Sequence, residues 1–468
     1  MQSSRNSAEI PVFARQARRA TDSLPLNSKR IFAGAGIFWL ISVLVGLSGC
    51  GESVTIPPPE PPQSVLIGVE QNKVVWSVDQ PTRGAVRYGF ISGEYDRIAY
   101  PLPGDGADKD YNSGHEVPLL SAVAGTPIFI QRTDLTTAGQ LFAAAEETVV
   151  FESVPVDPAL LTMTTIDVQF GDAHVFQLPS ADKIVMIDAG NPYVSRRGQT
   201  APQHVRRWLE DRAVDRIDVA LASHMHSDHY GGFVWGADAA ENGILELYEV
   251  GSFLDVIEVS GNSDRHADLQ ELLSSLNIPR HVITPGMSDQ TNPELLGWDP
   301  AVHVLVLNAG SQAEWANISH TGTRINNDSI VLKFNYGEVD IITGGDCEVE
   351  GEARILSHFS QELDEVELFK AHHHGRYDAN SLEFLSVIAP RISFIPVAFA
   401  AYYEGPDQGA EDTAQTLARL AVVQADVFRF DAAEPLAWEN DNRTFWHTTF
   451  ITDGISYEVR IVPSIWGI

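Results

Sequence analysis

Six of the chain's 15 histidines fall in two short clusters: His224, His226 and His229 in HMHSDH, and His372, His373 and His374 in AHHHG. Imidazoles spaced this closely, with carboxylates among them, are the ingredients of a metal site. Neutral imidazoles at 224 and 226 can converge on one divalent ion, while Asp228 and His229 point to a neighbouring one. The added carboxylate makes that second position harder and better at activating water.

The flanking residues say what must position these groups. HMHSDH follows IDVALAS, residues 217–223, where Ile217, Val219 and Leu221 alternate as in a half-buried strand, so the histidines sit on the loop leaving its C-terminal end. The stretch NNDSIVLKFNYGEVDIITGGD, residues 326–346, reads as a hairpin turning at Gly337 and Glu338 that delivers Asp346 to a strand end. VELFKAHHHG, residues 366–375, is another strand running into histidines. PQHVRRWLEDRA, residues 202–213, places Val205, Trp208 and Leu209 on one helical face, with Pro202 suited to the first turn. SLEFLSVIAP followed by RISFIPV repeats a helix and then a strand.

HxHxDH in this context closely resembles the metallo-β-lactamase superfamily. TIDVQFGDA (165–173) and KIVMIDAG (183–190) resemble that fold's opening strands, with Asp188 at its first motif position. The order and spacing of DSIVL, TGGD and HHG are specifically similar to the extracytoplasmic metallohydrolase domain of competence proteins of the ComEC type, over roughly residues 162–460. The resemblance implies an α/β fold, an αββα sandwich over residues 160–468, holding two divalent ions, Zn or alternatively Mn. It implies that His224 and His226 bind the first ion, that Asp228, His229 and His373 bind the second, and that Asp346 bridges them. Two such ions lower the pKa of a shared water towards about 7. Asp228 would orient that nucleophile, with His374 or Arg376 assisting the leaving group. Asp188 is expected to orient the histidine loop, and Cys347 to be a small buried residue.

Two departures from the family pattern bear on substrate contacts. No histidine between Gly232 and Asn326 matches the third motif; His266, His281, His303 and His320 are expected to be structural or surface residues. The serine that follows HHG in the family is Arg376 here, and GQGDA becomes QFGDA, residues 169–173.

Upstream, residues 64–155 carry short β-rich runs separated by Gly, Pro and Asp, the pattern of a small all-β sandwich. The stretches around VVWS and GAVRYG resemble a fibronectin type III-like domain, with Trp76 expected in the core and His115 at the surface or an edge. Residues 31–47 form an uncharged apolar run behind Lys29 and Arg30, as in a secretory signal. Leu47-Ser48-Gly49-Cys50 resembles a bacterial lipobox, which implies a signal peptide over 1–49 and lipid on Cys50; an uncleaved anchor is the alternative. TIPPPEPPQ then makes residues 50–63 an extended spacer. The expected location is the cell envelope, at the outer membrane facing the periplasm where one exists, or outside the cell.

In 468 residues, 31 Lys+Arg face 63 Asp+Glu, a formal charge of −32; removing the net +4 of residues 1–49 leaves −36. Such a charge repels phosphate backbones at long range, so nucleic acid is admitted only at the metal site and no basic binding face is expected. No protein partner is inferable. The expected activity is hydrolysis of a phosphodiester, in nucleic acid or a phosphorylated envelope component. A lactam, lactone or thioester hydrolase, or a wall-binding protein with a vestigial site, are the alternatives.

Overall fold

The computed structural model describes residues 61–101, 111–154, 159–168, 171–180, 183–193, 195–196, 199–236, 242–256, 263–310, 320–396, 406–429 and 444–465. The apolar segment 31–47 and Cys50 lie outside these. No helix among the described residues is long and apolar enough to cross a membrane.

Two sheets carry the histidine loops. In the first, the strands Arg280–Val282, Glu249–Asp255, Arg216–Leu221, Ile184–Ile187, His174–Gln177 and Leu161–Thr165 lie side by side in that order. In the second the order is Val302–Asn308, Val331–Tyr336, Val339–Gly344, Leu368–Lys370, Ile392–Ile395 and Asp426–Arg429. The hairpin expected between Asn326 and Asp346 is present, with Tyr336 opposite Val339 and Gly337 in the left-handed region at φ 62°. Alternating apolar side chains of the two sheets meet in one core, where Met163, Phe176, Val185 and Leu221 pack with Val304, Leu332, Phe334 and Ile341. The Phe176 and Phe334 rings stack at 4.5 Å.

Helices cover the outer faces. Val205, Trp208 and Leu209 of Ala201–Asp211 and Leu269 and Leu273 of Ser263–Ser275 pack on the first sheet. Ile355 of Val349–Phe359, Phe384, Leu385 and Ile388 of Leu382–Ile388, and Leu420 of Pro406–Val422 cover the second. The helix at Ala201 starts where the sequence places it. Thr200 and Gln203 form a capping box, the Thr200 amide donating to Gln203 Oε1 at 2.9 Å, which satisfies a helix-start donor with Pro202 in the first turn. The layering is helix, sheet, sheet, helix, a mixed α/β arrangement.

The N-terminal region is all β. The long strand Lys73–Gly89 pairs with Ser64–Glu70 and Asn112–Pro118 through its first half, and with Arg97–Ala99 and Ile128–Thr136 through its second. Between these halves lies a core of Trp76, Val86, Tyr88, Val117 and Ile130. Trp76 is buried as expected, its indole N–H donating to Asp134 Oδ1 at 3.2 Å. His115 lies on Asn112–Pro118, which among the described residues pairs with Lys73–Gly89 alone and so is an edge strand as expected, but its side chain is buried rather than at the surface: it packs against Trp76, ring centres 4.7 Å apart, and its Nε2 lies 2.9 Å from Thr82 Oγ1. Gly84 leaves the space for this pair, since a Cβ there would come within 2.8 Å of both rings.

The C-terminal hairpin, Thr444–Thr452 and Tyr457–Ile465, inserts between Leu161–Thr165 and Arg97–Ala99 and makes the first sheet continuous with the N-terminal region. Glu458 on this hairpin is buried and accepts hydrogen bonds from the hydroxyls of Tyr88 and Ser121 and from the amide of Leu120, the last at 2.9 Å.

Candidate metal centre

The site lies where strand ends of both sheets converge. Arg216–Leu221 runs into His224, His226, Asp228 and His229; Ile184–Ile187 ends at Asp188; Val339–Gly344 ends two residues before Asp346; and Leu368–Lys370 runs into the three histidines. Glycine is required at the crossing of two of these loops, because a Cβ on Gly345 would sit 2.3 Å from Ser223 Oγ and 2.9 Å from His224 Nδ1.

Asp346 stands at the centre and divides the site in two. Its Oδ1 lies 3.2 Å from His229 Nε2 and 3.5 Å from His374 Nε2, and the latter nitrogen is 3.5 Å from Asp228 Oδ2. Its Oδ2 lies 3.8 Å from His224 Nε2 and 3.7 Å from His373 Nε2. His224 Nε2 and His226 Nδ1 face one another at 3.0 Å. The groups Asp228–His229–Asp346–His374 and His224–His226–Asp346 each have the spacing of a metal-binding set.

The donor chemistry fits divalent cations. Burial holds the His224 imidazole well below its ordinary pKa, and holds His226 down at about 4, so both are neutral lone-pair donors. Burial also opposes charge on His229 and His374, yet the carboxylates around them prevail and raise both well above the ordinary range: Asp346, Asp188 and Asp228 for His229, and Asp346 and Asp172 for His374. Asp346, despite its burial, is held well below the usual carboxylate range by His229, His374 and His373. The cluster thus demands positive charge at its centre, which protons supply only at the cost of the nitrogens' lone pairs. Asp346 Oδ1 and His229 Nε2 are buried without a well-aligned hydrogen bond among the described residues, which fits ligand atoms of a cation site.

Carboxylates behind the imidazoles fix their orientation. Asp188 accepts from the Ser223 amide at 2.8 Å and the Ser223 hydroxyl at 2.7 Å, and its Oδ2 lies 2.8 Å from His229 Nδ1. This is the orienting role expected of it. Asp172 Oδ1 lies 3.2 Å from His374 Nδ1, while its Oδ2 pairs with Lys370 Nζ, and both side chains are fully buried. Lys370 also donates to the carbonyls of Gly344 at 2.9 Å and Gly345 at 3.1 Å, and the Asp172 amide donates to the carbonyl of Asp228 at 3.1 Å. One buried ion pair therefore braces His374, the strand end carrying Asp346, and Asp228. Asp378 Oδ1 holds His373 Nδ1 at 2.9 Å, with Glu348 Oε1 at 3.8 Å from the same nitrogen.

The structure brings together His224, His226, Asp228, His229 and Asp346 as the sequence expects. It sets the two following histidines on different sides of Asp346, where the sequence favours His373 as the ligand and leaves the choice between His373 and His374 open. His374, expected behind the ligands, joins Asp228 and His229; His373, expected beside them, faces the opposite oxygen of Asp346. The reason is the backbone: His373, His374 and Gly375 are successively left-handed, at φ 48°, 54° and 76°, which turns the two imidazoles to different sides. Non-glycine residues adopt such a run only where surrounding contacts impose it.

Arg376 Nε lies 3.5 Å from Asp378 Oδ2, beside the carboxylate behind His373. His372 points away, between Phe369 and Phe384, with Nδ1 3.0 Å from Glu352 Oε1. Cys347 is buried in the core of the second sheet, and burial pushes its thiol pKa up. His266 is buried on the helix Ser263–Ser275, His303 pairs with Asp289 at the surface, and His320 caps the helix Thr321–Asn327. Neither these nor His281 belong to a metal-binding group among the described residues. Sequence reasoning missed Lys370, Asp378 and Glu348. Lys370 alone left a signal, a charge inside an otherwise apolar strand run.

No protein-family model matches the chain, and no curated protein matches it. Among solved structures it is similar to a purple acid phosphatase from yellow lupin (Lupinus luteus) seeds, at 10% identity and a TM-score of 0.18. That match covers 71% of this chain and 57% of the phosphatase, so the chain spans little more than half its length, and so low a score carries no argument about fold or chemistry.

Proposed function

We propose that this protein is a metal-dependent hydrolase with a dinuclear centre, acting on phosphodiesters from the outer side of a membrane to which Cys50 anchors it. The observation that carries the reading is Asp346, whose two oxygens face two separate sets of ligand atoms. Divalent ions held there would supply Lewis-acid activation of water and of the phosphoryl oxygens. His224 and His226 would hold the first, with Asp346 shared; Asp228, His229 and His374 would hold the second.

The protein's own groups do the positioning. His224, His229, Asp346 and His374 form the buried floor, whereas His226, Asp228 and His373 are partly exposed and line its mouth. Asp228, half-turned to solvent, is placed to accept a proton from the attacking water and to keep that water in line. The buried floor excludes bulk solvent, which strengthens every charge interaction with an anionic substrate. The acidic surface disfavours long polyanions, so the reading is of a small or locally presented phosphodiester. Its support is the resemblance of the motifs together with this donor set.

The test is turnover of a chromogenic phosphodiester by the full-length chain loaded with Zn or Mn, beside the same chain stripped by chelator and the variant His226→Ala. Hydrolysis that is abolished by stripping, restored by metal and absent in the variant is the expected result. A loaded protein that binds metal but leaves phosphodiesters intact, while opening lactams, lactones or thioesters, would replace the substrate assignment.

A further inference from the structure

The sequence offers no third histidine for the His224–His226 half of the centre. We infer that His373 is that third imidazole, supplied from the loop that also delivers His374. The inference rests on the metal reading above and concerns which ion His373 serves.

Three observations carry it. His373 Nε2 lies 3.7 Å from Asp346 Oδ2, the oxygen that His224 Nε2 faces at 3.8 Å, whereas His229 and His374 face Oδ1. Its ring is set as the other two are: Nδ1 on an outer carboxylate and Nε2 towards Asp346. An Asp378 oxygen lies 2.9 Å from His373 Nδ1, as one of Asp188 lies 2.8 Å from His229 Nδ1 and one of Asp172 3.2 Å from His374 Nδ1, the Asp188 contact being an aligned hydrogen bond. A carboxylate on the far nitrogen fixes the tautomer and directs the remaining lone pair to a metal. Third, the successive left-handed residues separate two adjacent imidazoles to opposite oxygens of one aspartate, a costly backbone whose effect is to let one loop serve both halves. With His373, which by spacing also groups with Glu348 and Asp378, the first half would reach three imidazoles beside a shared carboxylate oxygen, a nitrogen-rich set suited to Zn.

The test counts ions rather than turnover. Full-length protein is stripped and titrated with Zn, the bound metal being measured by equilibrium dialysis and elemental analysis, in two backgrounds that each retain one half: Asp228→Ala keeps the first and His226→Ala the second. Adding His373→Ala to Asp228→Ala is expected to weaken the remaining ion by more than the roughly 10–100-fold that loss of an outer partner costs. Adding it to His226→Ala should leave the remaining ion within about three-fold, as expected where no ligand or outer partner of that ion is removed. Asp378→Asn, which keeps the imidazole, should weaken only the first ion, by about 10–100-fold. The reverse pattern, equal losses in both backgrounds, or no loss in either, would overturn the assignment. A wild-type chain that binds no divalent ion would instead overturn the metal reading itself. Far-ultraviolet circular dichroism identifies any variant that fails to fold; if His373→Ala does, Asp378→Asn decides the question by the same criterion.

Discussion

Lys370 and Asp172 are both fully buried, and their ion pair sits directly behind the candidate metal centre. Replacing Lys370 by Met keeps most of the aliphatic stem and removes the charge. Asp172 would then be a buried carboxylate that has lost its fixed cation, and the carbonyls of Gly344 and Gly345 would lose their charged donor. Removing one partner of a buried pair costs about 3–5 kcal/mol, because the other charge remains without compensation. Asp172→Asn leaves the converse defect, a buried ammonium held only by carbonyls, with a cost of about 3 kcal/mol at the lower end of that range. The double variant has no orphaned charge. It should therefore lose only about 3–4 kcal/mol rather than the roughly 7 of simple addition, a coupling of at least 2 kcal/mol. Urea unfolding in the presence of chelator measures this without a contribution from metal binding. Single variants costing under about 1 kcal/mol, or a double variant additive to within about 0.5 kcal/mol, would refute the claim that this pair is one energetic unit.

Other predictions concern separate parts of the molecule. Burial lowers the pKa values of His204 and His447 to about 3, so each stays neutral in the folded state while the unfolded chain takes up a proton near 6.5. Their contribution is complete above that pH and is lost progressively as pH falls from 6.5 towards 3, at about 1.4 kcal/mol each by pH 5.5. His204→Gln should lessen the fall in stability between pH 7.5 and 5.5 by that amount, measured by denaturant midpoints at the two pH values. Gly171 has φ 101°, and a Cβ there would lie 1.9 Å from the carbonyl oxygen of Asp228. On the proposed dinuclear reading, Gly171→Ala should displace Asp228, lower the number of ions bound from two to one and reduce turnover at least about 100-fold, read by metal analysis and initial rates. If Cys50 carries lipid, Cys50→Ala should move the chain from the membrane pellet to the soluble or uncleaved fraction; unchanged fractionation with no fatty-acid labelling of wild type would reject the anchor.

Much of the arrangement was legible because the strands are short apolar runs ending in polar residues. Ile217, Val219 and Leu221 announced the strand before HMHSDH, and Gly337 the turn before Asp346, since each signal is local. What stayed illegible depends on groups distant in the chain. Nothing near Lys370 says that its partner is Asp172, 198 positions away. Which of His373 and His374 faces which oxygen of Asp346 was not legible, because no periodicity encodes left-handed backbone at non-glycine residues. The burial of His115 stayed illegible for a related reason: a polar residue on a short edge strand gives no sign that Trp76 and a glycine opposite make a buried slot for it.

The C-terminal hairpin has a consequence for how the chain is made. Strands Leu161–Thr165 and Arg97–Ala99 are separated by less than seventy residues of chain, yet among the described residues they join through residues 444–465, much further along the chain. Until those residues emerge, both strands present open edges and the pocket for Glu458 beside Tyr88 and Ser121 is unfilled. Two regions close in sequence must therefore wait for one made much later, and a ribosome stalled, or a stop codon placed, between Thr165 and the hairpin yields a product with two exposed sheet edges, suited to aggregation or to proteolytic disposal.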